Sequence, residues 1–208
     1  MNRLLLNALT VALVVTSISE TVAAADSPNN GDAVAAAQCL KAGDPVGAFY
    51  VTKIAGAKDD GVQPGQELCY RCRYGSRPMV IVFARKRNAK LVQLVKEIDS
   101  VIGDKKESQL RGLVAFMGKD VAEVKDNAST FAEQSGAHHV PVAIAKETET
   151  GPPNYRLDDS SVTVFMVKDS KLVSLHRCDA GRINVLALMR GVKQMLRSDR
   201  PSSGSSAL

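Results

Sequence analysis

Apolar residues along the chain form short continuous runs that alternate with segments of helical spacing. The runs at Met79–Ala84 and at residues 113–117 predict strands that are buried on both faces, as in the middle of a parallel or mixed sheet. Between them, apolar residues recur at helical spacing after Asn88, which can cap a helix that runs to Gly103. A second helix is predicted for residues 120–134.

The pattern at the two ends of this region predicts further strands and one more helix. Residues 47–56 have the β-branched and aromatic content of a strand, and residues 140–145 predict another short one. Residues 162–167 and Lys171–Cys178 predict a β-hairpin across a short polar turn. In the last predicted helix, the inward face comprises Val185, Leu186, Met189, Val192 and Leu196.

The order of these elements predicts the fold class. Parallel strand–helix–strand crossovers, followed by an antiparallel hairpin and a closing helix, indicate an α/β fold. We expect a mixed central sheet with helices on both faces and a terminal β-hairpin plus helix. The predicted domain spans residues 46–198, between a flexible leader (residues 26–45) and a disordered tail (residues 199–208) that is poor in apolar residues.

The first 25 residues have the layout of a secretory signal peptide. A basic residue, Arg3, precedes an apolar run at residues 4–18, and small residues follow before Asp26. The apolar run is too short for a comfortable membrane span of about 20 residues. We therefore expect an exported protein, periplasmic or extracellular, with no stable membrane insertion after the signal is cleaved.

Charge and cysteine content narrow the function. The net charge of +5 is mild and scattered among acidic residues, and aromatic residues make up only 4% of the chain, so a nucleic-acid surface is not expected. The four cysteines, Cys39, Cys69, Cys72 and Cys178, are an even number, which favours disulfides in an exported protein. Four cysteines allow three complete pairings, and the sequence does not choose among them.

The segment "GQELCYRCRYG" contains the most suggestive chemistry. It predicts a turn or two of helix that ends at Gly75, with Cys69 and Cys72 at C-x-x-C spacing in its first turns. Arg71, Arg73 and Arg77 would favour the thiolate form, which is the form that attacks a disulfide. Cys69 and Cys72 are therefore candidate catalytic residues with Arg71 and Arg73 as thiolate-stabilising groups. The alternative is a purely structural disulfide.

A metal site is a further alternative. Because residues two apart in a strand share one face, His176 and Cys178 would point the same way. Together with Cys69 and Cys72 they would form a Cys₃His set suited to zinc or copper(I). This hypothesis requires the end of the hairpin to reach the C-x-x-C segment.

The element order resembles the thioredoxin-like superfamily, which includes thioredoxins and peroxiredoxins. The stretch "SSVTVFMVKDSKLVSLHRCDAGRINVLALMRGVKQML" is the part most similar to that superfamily, and the resemblance covers residues 47–197. The segment "LCYRCRYGSRPMVIVFARK" also resembles one in uncharacterised exported bacterial proteins of this superfamily. The resemblance implies a protein without a cofactor that acts on protein thiols or disulfides.

Two features depart from the superfamily's pattern. Thioredoxins carry their reactive C-x-x-C just after the first central strand, where this chain reads "RKRNAK" and has no cysteine. Thioredoxins also place a cis-proline before the terminal hairpin, where this chain has Ser161 and Val162. The sequence therefore predicts a divergent member that lacks the usual active-site cysteines. Two hypotheses follow: a redox protein with a displaced C-x-x-C, or a non-catalytic binding or structural module.

Overall fold

A computed structural model describes residues 40–197, apart from the side chain of Ala180. The predicted signal peptide, most of the predicted leader, Cys39 and the predicted tail lie outside the described residues. Within the described residues, no helix is long and apolar enough to cross a membrane.

The strands form one mixed sheet. Within residues 40–197 there are seven: β1 (Val51–Ala55), β2 (Glu67–Leu68), β3 (Met79–Ala84), β4 (Arg111–Phe116), β5 (Val142–Ala145), β6 (Val162–Lys168) and β7 (Lys171–Cys178). Their order across the sheet is β2-β1-β5-β4-β3-β6-β7. The β3–β4 and β4–β5 pairs are parallel, whereas β1 and β6 run antiparallel to their neighbours. The predicted mixed sheet and terminal hairpin are confirmed.

The same part of the chain has four α-helices. They are α1 (Tyr70–Tyr74), α2 (Ala89–Asp104), α3 (Val121–Ser135) and α4 (Val185–Arg197). The predicted cap of α2 is confirmed, because Asn88 Oδ1 accepts a hydrogen bond from the Leu91 N–H at 2.9 Å. Asp120 caps α3 in the same way, by accepting from the backbone N–H groups of Ala122 and Glu123.

Apolar side chains fill both faces of the sheet. Because side chains alternate along β3, Val80 and Val82 point to one face while Met79 and Ile81 point to the other. The first face is covered by α2, α3 and α4. The second face is covered by α1 together with the segment before β1 and the loop before β6. Helices therefore lie on both faces, as predicted.

The crossover direction explains why α2 and α3 share a face. The chain moves from β3 to β4 and then from β4 to β5 in the same direction across the sheet. Right-handed crossovers that advance in one direction place their helices on the same side. The other face is thereby left to short elements, and α1 is the α-helix among the described residues that packs there.

The predicted inward face of α4 is wrong at one position. Leu186 is 69% exposed, whereas Leu188 is only 3% exposed and packs into the core. The buried positions of α4 are Val185, Leu188, Met189, Val192 and Met195. Successive helix residues are rotated by about 100°, so the residue after Val185 turns away from the stripe that contains Leu188 and Met189.

The chain before β1 is attached to the hairpin. The Val46 N–H donates to Ser170 O at 2.9 Å, and the Leu172 N–H donates to Asp44 O at 2.8 Å. Pro45 forms a β-bridge with Lys171. Residues 44–46 therefore lie beside the turn between β6 and β7.

We predict that two leucines of α4 differ sharply in their effect on stability. Leu188→Ala should lower the free energy of unfolding by about 2–5 kcal/mol because it leaves a cavity in the core. Leu186→Ala makes the same chemical change on an exposed face and should change it by less than about 0.5 kcal/mol. Urea unfolding followed by circular dichroism measures both, and equal costs would contradict the placement of Leu186.

Candidate functional site

Cys69 and Cys72 form a disulfide at the start of α1. Their Cα atoms lie 5.3 Å apart. Cys69 is the N-cap residue of the helix, and its Sγ accepts a hydrogen bond from the Cys72 N–H at 3.0 Å. Gly75 ends the helix with a positive φ of 65°, as predicted for this segment. Of the pairings that the sequence left open, the structure therefore has the local one for these two cysteines.

The two sulfur-bearing residues differ in their access to solvent. Cys69 is only 8% exposed, whereas Cys72 is exposed. The difference follows from the helix, since Tyr70 and Tyr74 share its buried face and Cys72 lies on another side. A molecule in solvent can therefore approach Cys72 more readily than Cys69.

The predicted thiolate-stabilising arginines surround α1 and bind backbone carbonyls. Arg71 donates from Nε to Val46 O and from Nη1 to Gly75 O, both at 3.1 Å. Arg73 donates from Nη2 to Asp60 O at 2.5 Å. Their guanidinium groups thus fix α1 to the chain before β1 and to the loop after it.

A buried ion pair lies in the loop that Arg73 contacts. The Lys53 ammonium is 2% exposed and lies 2.7 Å from Asp60 Oδ1. The ammonium also donates hydrogen bonds to two carbonyl oxygens, Ala57 O at 3.0 Å and Val62 O at 2.8 Å. Because the ammonium has three donors, all three are satisfied. The sequence pattern did not reveal this interaction, since Lys53 interrupts an otherwise apolar strand and its partner lies in a polar loop.

Asp60 also connects this ion pair to the C-x-x-C segment. Tyr70 lies between the two cysteines in sequence, and its hydroxyl donates to Asp60 Oδ2 at 2.6 Å. Burial, followed by this hydrogen bond to the carboxylate, holds the pKa of Tyr70 far above its usual value. The hydroxyl therefore stays protonated and remains a donor at neutral pH. One carboxylate thus joins β1, its following loop and α1.

The disulfide precedes β3 in the chain, whereas the thioredoxin dithiol follows the corresponding strand. Helix α1 precedes β3, and the Arg111 N–H at the start of β4 donates to Pro78 O at 2.9 Å. Leu68, the residue before Cys69, pairs with Val51, which pairs with Ala145 at the carboxyl end of β5. The disulfide therefore begins at the β2 edge of the sheet, and α1 leads from there to the start of β3. The segment that follows the carboxyl-terminal end of β3 contains Asn88 as the cap of α2 and no cysteine.

The structure does not bring together the four residues of the predicted metal set. Cys69 and Cys72 are covalently paired at the start of α1, which covers one face of the sheet. His176 and Cys178 pair with Val164 and Val162 of β6, whose side chains pack on the other face. Cys178 also lies on β7 and Cys69 follows β2, and these strands are the opposite edges of the sheet, six strand spacings or roughly 28 Å apart.

Other groups of possible ligands also fall short of a metal centre. Among residues 40–197, no three His, Cys, Asp or Glu side chains are grouped so that they could hold a metal ion.

Burial lowers the pKa of His176, and burial followed by the Asp179 carboxylate raises the pKa of the free Cys178 thiol. Cys178 is therefore a poor nucleophile compared with an exposed thiol.

Comparison with solved structures identifies the fold. The chain is similar to a protein of Chlorobium tepidum described as a thiol:disulfide interchange protein DsbE, with a TM-score of 0.55, 14% identity, and coverage of 76% of this chain and 99% of that one. A Bacteroides thetaiotaomicron protein described as a protein disulfide isomerase gives a TM-score of 0.52 at 14% identity, covering 76% of this chain and 91% of its own.

A yeast mitochondrial 1-Cys peroxiredoxin is a third similar structure, with a TM-score of 0.53 at 11% identity and coverage of 81% of this chain and 84% of its own. No family model and no curated protein matches the sequence. The predicted thioredoxin-like fold is confirmed by these structures. At such low identity the likeness extends to the fold and leaves the chemistry to be argued from the site.

We predict that removing the Asp60 carboxylate destabilises the protein strongly. Asp60→Ala leaves a buried ammonium without its counter-charge and should cost roughly 3–5 kcal/mol of unfolding free energy. The neighbouring exposed Asp59 is a matched control, and Asp59→Ala should cost less than about 0.5 kcal/mol. Urea unfolding of both variants is the measurement, and a similar small cost for both would contradict the role given to Asp60.

Proposed function

We propose that the protein catalyses thiol–disulfide exchange through Cys69 and Cys72. The observation that carries the proposal is the asymmetric disulfide at the start of α1, with Cys72 exposed and Cys69 buried. An inert disulfide needs no accessible sulfur, whereas exchange needs one sulfur that a partner can attack and another that can leave. The thioredoxin-like fold is consistent with this activity, because its similar structures include proteins described as acting on disulfides.

The geometry assigns separate roles to the two cysteines. A substrate thiolate attacks Cys72 Sγ, the bond between the two protein sulfurs breaks, and Cys69 leaves with the electron pair as a thiolate. The Cys72 N–H, which already points to Cys69 Sγ, stabilises the negative charge that develops there. A second substrate thiolate then attacks the substrate sulfur of the mixed disulfide and releases Cys72 as a thiolate. Two substrate thiols are thereby oxidised to a disulfide, and the protein is reduced.

The same roles serve the reverse reaction. The Cys72 thiolate attacks a substrate disulfide and forms the mixed disulfide, and one substrate thiolate leaves. The Cys69 thiolate then attacks Cys72 Sγ and releases the second one. Arg71 and Arg73 support both directions in this proposal, because positive charge near α1 lowers the free energy of the thiolates. Protein thiols and disulfides are the substrates that suit an exposed Cys72.

We predict that the two single-cysteine variants react differently with a peptide disulfide. In a background with Cys39→Ser and Cys178→Ser, the Cys69→Ser variant should form a stable mixed disulfide at Cys72, because the residue that would resolve it is gone. The Cys72→Ser variant should react at least about tenfold more slowly because Cys69 is buried. Mass spectrometry of samples quenched with acid gives both rates.

Two outcomes would overturn the exchange proposal. One is equal reactivity of the two single-cysteine variants, which would remove the assigned roles. The other is a reduction potential below about −300 mV for the Cys69–Cys72 pair with no turnover of a disulfide substrate. The second outcome would favour a thioredoxin-fold binding or structural module whose disulfide only holds α1 in place.

We also propose that the protein is exported and acts in an oxidising compartment. The apolar run at residues 4–18 and the small residues before Asp26 support this proposal. The expected mature protein begins at Asp26, which intact-mass measurement of protein recovered outside the cytoplasm would detect. Recovery of the uncleaved chain in the cytoplasm alone would contradict export.

A further inference from the structure

A groove beside α1 collects basic side chains from distant parts of the sequence. It has a volume of about 300 Å³, which is at the lower end of the range typical of small-molecule sites, about 300–1,000 Å³. Its polar lining comes from the α1 region, the loop after β1, the start of β4 and the loop before β5. These side chains are Asp59, Asp60, Arg73, Tyr74, Arg77, Arg111, His138 and His139.

The lining has more positive than negative charge. Arg73, Arg77 and Arg111 are permanent cations, and among the described residues none of them forms an ion pair with a carboxylate. Of the two acids in the lining, Asp60 is already paired with Lys53. Asp59 alone is left to balance three guanidinium groups, so the groove has a net positive potential.

Contacts with neighbouring backbone hold the groove in shape. Arg73 and Arg77 donate to the carbonyl oxygens of Asp60 and Tyr74, and the guanidinium carbon of Arg111 lies 6.0 Å from the centre of the Tyr74 ring. Asp99 of α2 holds the other side of the groove, the loop that contains His138 and His139.

The Asp99 carboxylate accepts the backbone N–H groups of His138, His139 and Val140 at 3.2, 2.6 and 2.9 Å. It therefore fixes the loop through its backbone. The side chains of His138 and His139 remain exposed at the groove. A site that is largely formed before binding loses little entropy when it takes a ligand.

The groove and the accessible sulfur are on neighbouring residues. Arg73 directly follows Cys72, so their Cα atoms are about 3.8 Å apart. We infer that this groove binds the carboxylate groups of low-molecular-weight thiols and disulfides and presents their sulfur to Cys72. The reaction at Cys72 in this inference rests on the proposed exchange activity. Binding of the carboxylates in the groove is independent of that activity.

The exchange with such a substrate needs no other oxidant or reductant. The reduced protein's Cys72 thiolate attacks the substrate disulfide, and one carboxylate-bearing thiolate leaves. The Cys69 thiolate displaces the second one as the protein disulfide forms. Two electrons pass from the protein dithiol to the substrate disulfide, and the groove contributes only binding energy.

Binding is tested first, with a probe that cannot exchange. S-methylglutathione bears two carboxylates and has no free thiol. We expect it to shift amide NMR signals around Arg111 and His139 in the oxidised protein. Arg111→Gln should weaken the affinity at least about tenfold, because a charge-assisted hydrogen bond is lost. Arg111→Lys keeps the positive charge and should retain most of the affinity, and Arg190→Gln on the exposed face of α4 should leave it unchanged.

Reaction rates are tested second, with substrates that differ in charge. In single-turnover experiments, the reduced protein should react faster with glutathione disulfide, which is net negative, than with the neutral hydroxyethyl disulfide. Arg111→Gln should lower the rate with glutathione disulfide about tenfold and leave the neutral rate unchanged, since only the former uses the groove. Arg190→Gln should change neither rate.

The outcomes separate this inference from the proposed function. Binding of S-methylglutathione that depends on Arg111, without reaction with either disulfide, would keep the groove as an anion site and refute the exchange activity. Reaction with both disulfides at rates that Arg111→Gln does not alter would keep the activity and refute the groove. Signal shifts that are equal for Arg111→Gln and the unaltered protein would also refute it.

Discussion

The Asp60 carboxylate is the group on which the arrangement of the site depends. It neutralises the buried ammonium of Lys53 and accepts a hydrogen bond from the Tyr70 hydroxyl. The backbone carbonyl of the same residue accepts a hydrogen bond from Arg73. A buried ammonium without a counter-charge would be too costly to keep, so the loop that contains Asp60 must close over β1. Because Tyr70 and Arg73 belong to α1, the same closure sets the position of the disulfide.

The fold could be predicted where its signals are local. The apolar run of β3, the cap at Asn88 and the hairpin of β6 and β7 each depend on residues that are close in sequence, and each is found as expected. The sequence pattern places Leu186 wrongly because a leucine beside a true core position satisfies a loose helical pattern equally well, and only packing against the sheet distinguishes the two.

The site was predictable only in part, for the same physical reason. The C-x-x-C spacing, the short helix and the glycine at its end are local features that identify Cys69 and Cys72. The ion pair of Lys53 is not, because its acid partner lies in a loop with no periodicity. The groove is less predictable still, since Arg111 and His139 reach it from separate elements and neither is unusual in its own segment. The four residues of the predicted metal set lie apart in the structure. Spacing within a strand determines which residues share a face, but it does not determine where in the sheet that strand lies.

The position of Cys178 in the sheet limits which wrong disulfides the folded chain can form. Its half-buried thiol lies on the far face and at the opposite edge of the sheet from Cys69 and Cys72, and its raised pKa keeps it mostly protonated at neutral pH. Disulfide shuffling requires a thiolate in contact with a disulfide sulfur. In the folded protein, Cys178 is mostly a thiol and is far from the Cys69–Cys72 disulfide. Mispairing of Cys178 with Cys69 or Cys72 is therefore confined to the unfolded chain. Once the sheet has formed, its thickness and width separate Cys178 from these two cysteines and preserve their pairing.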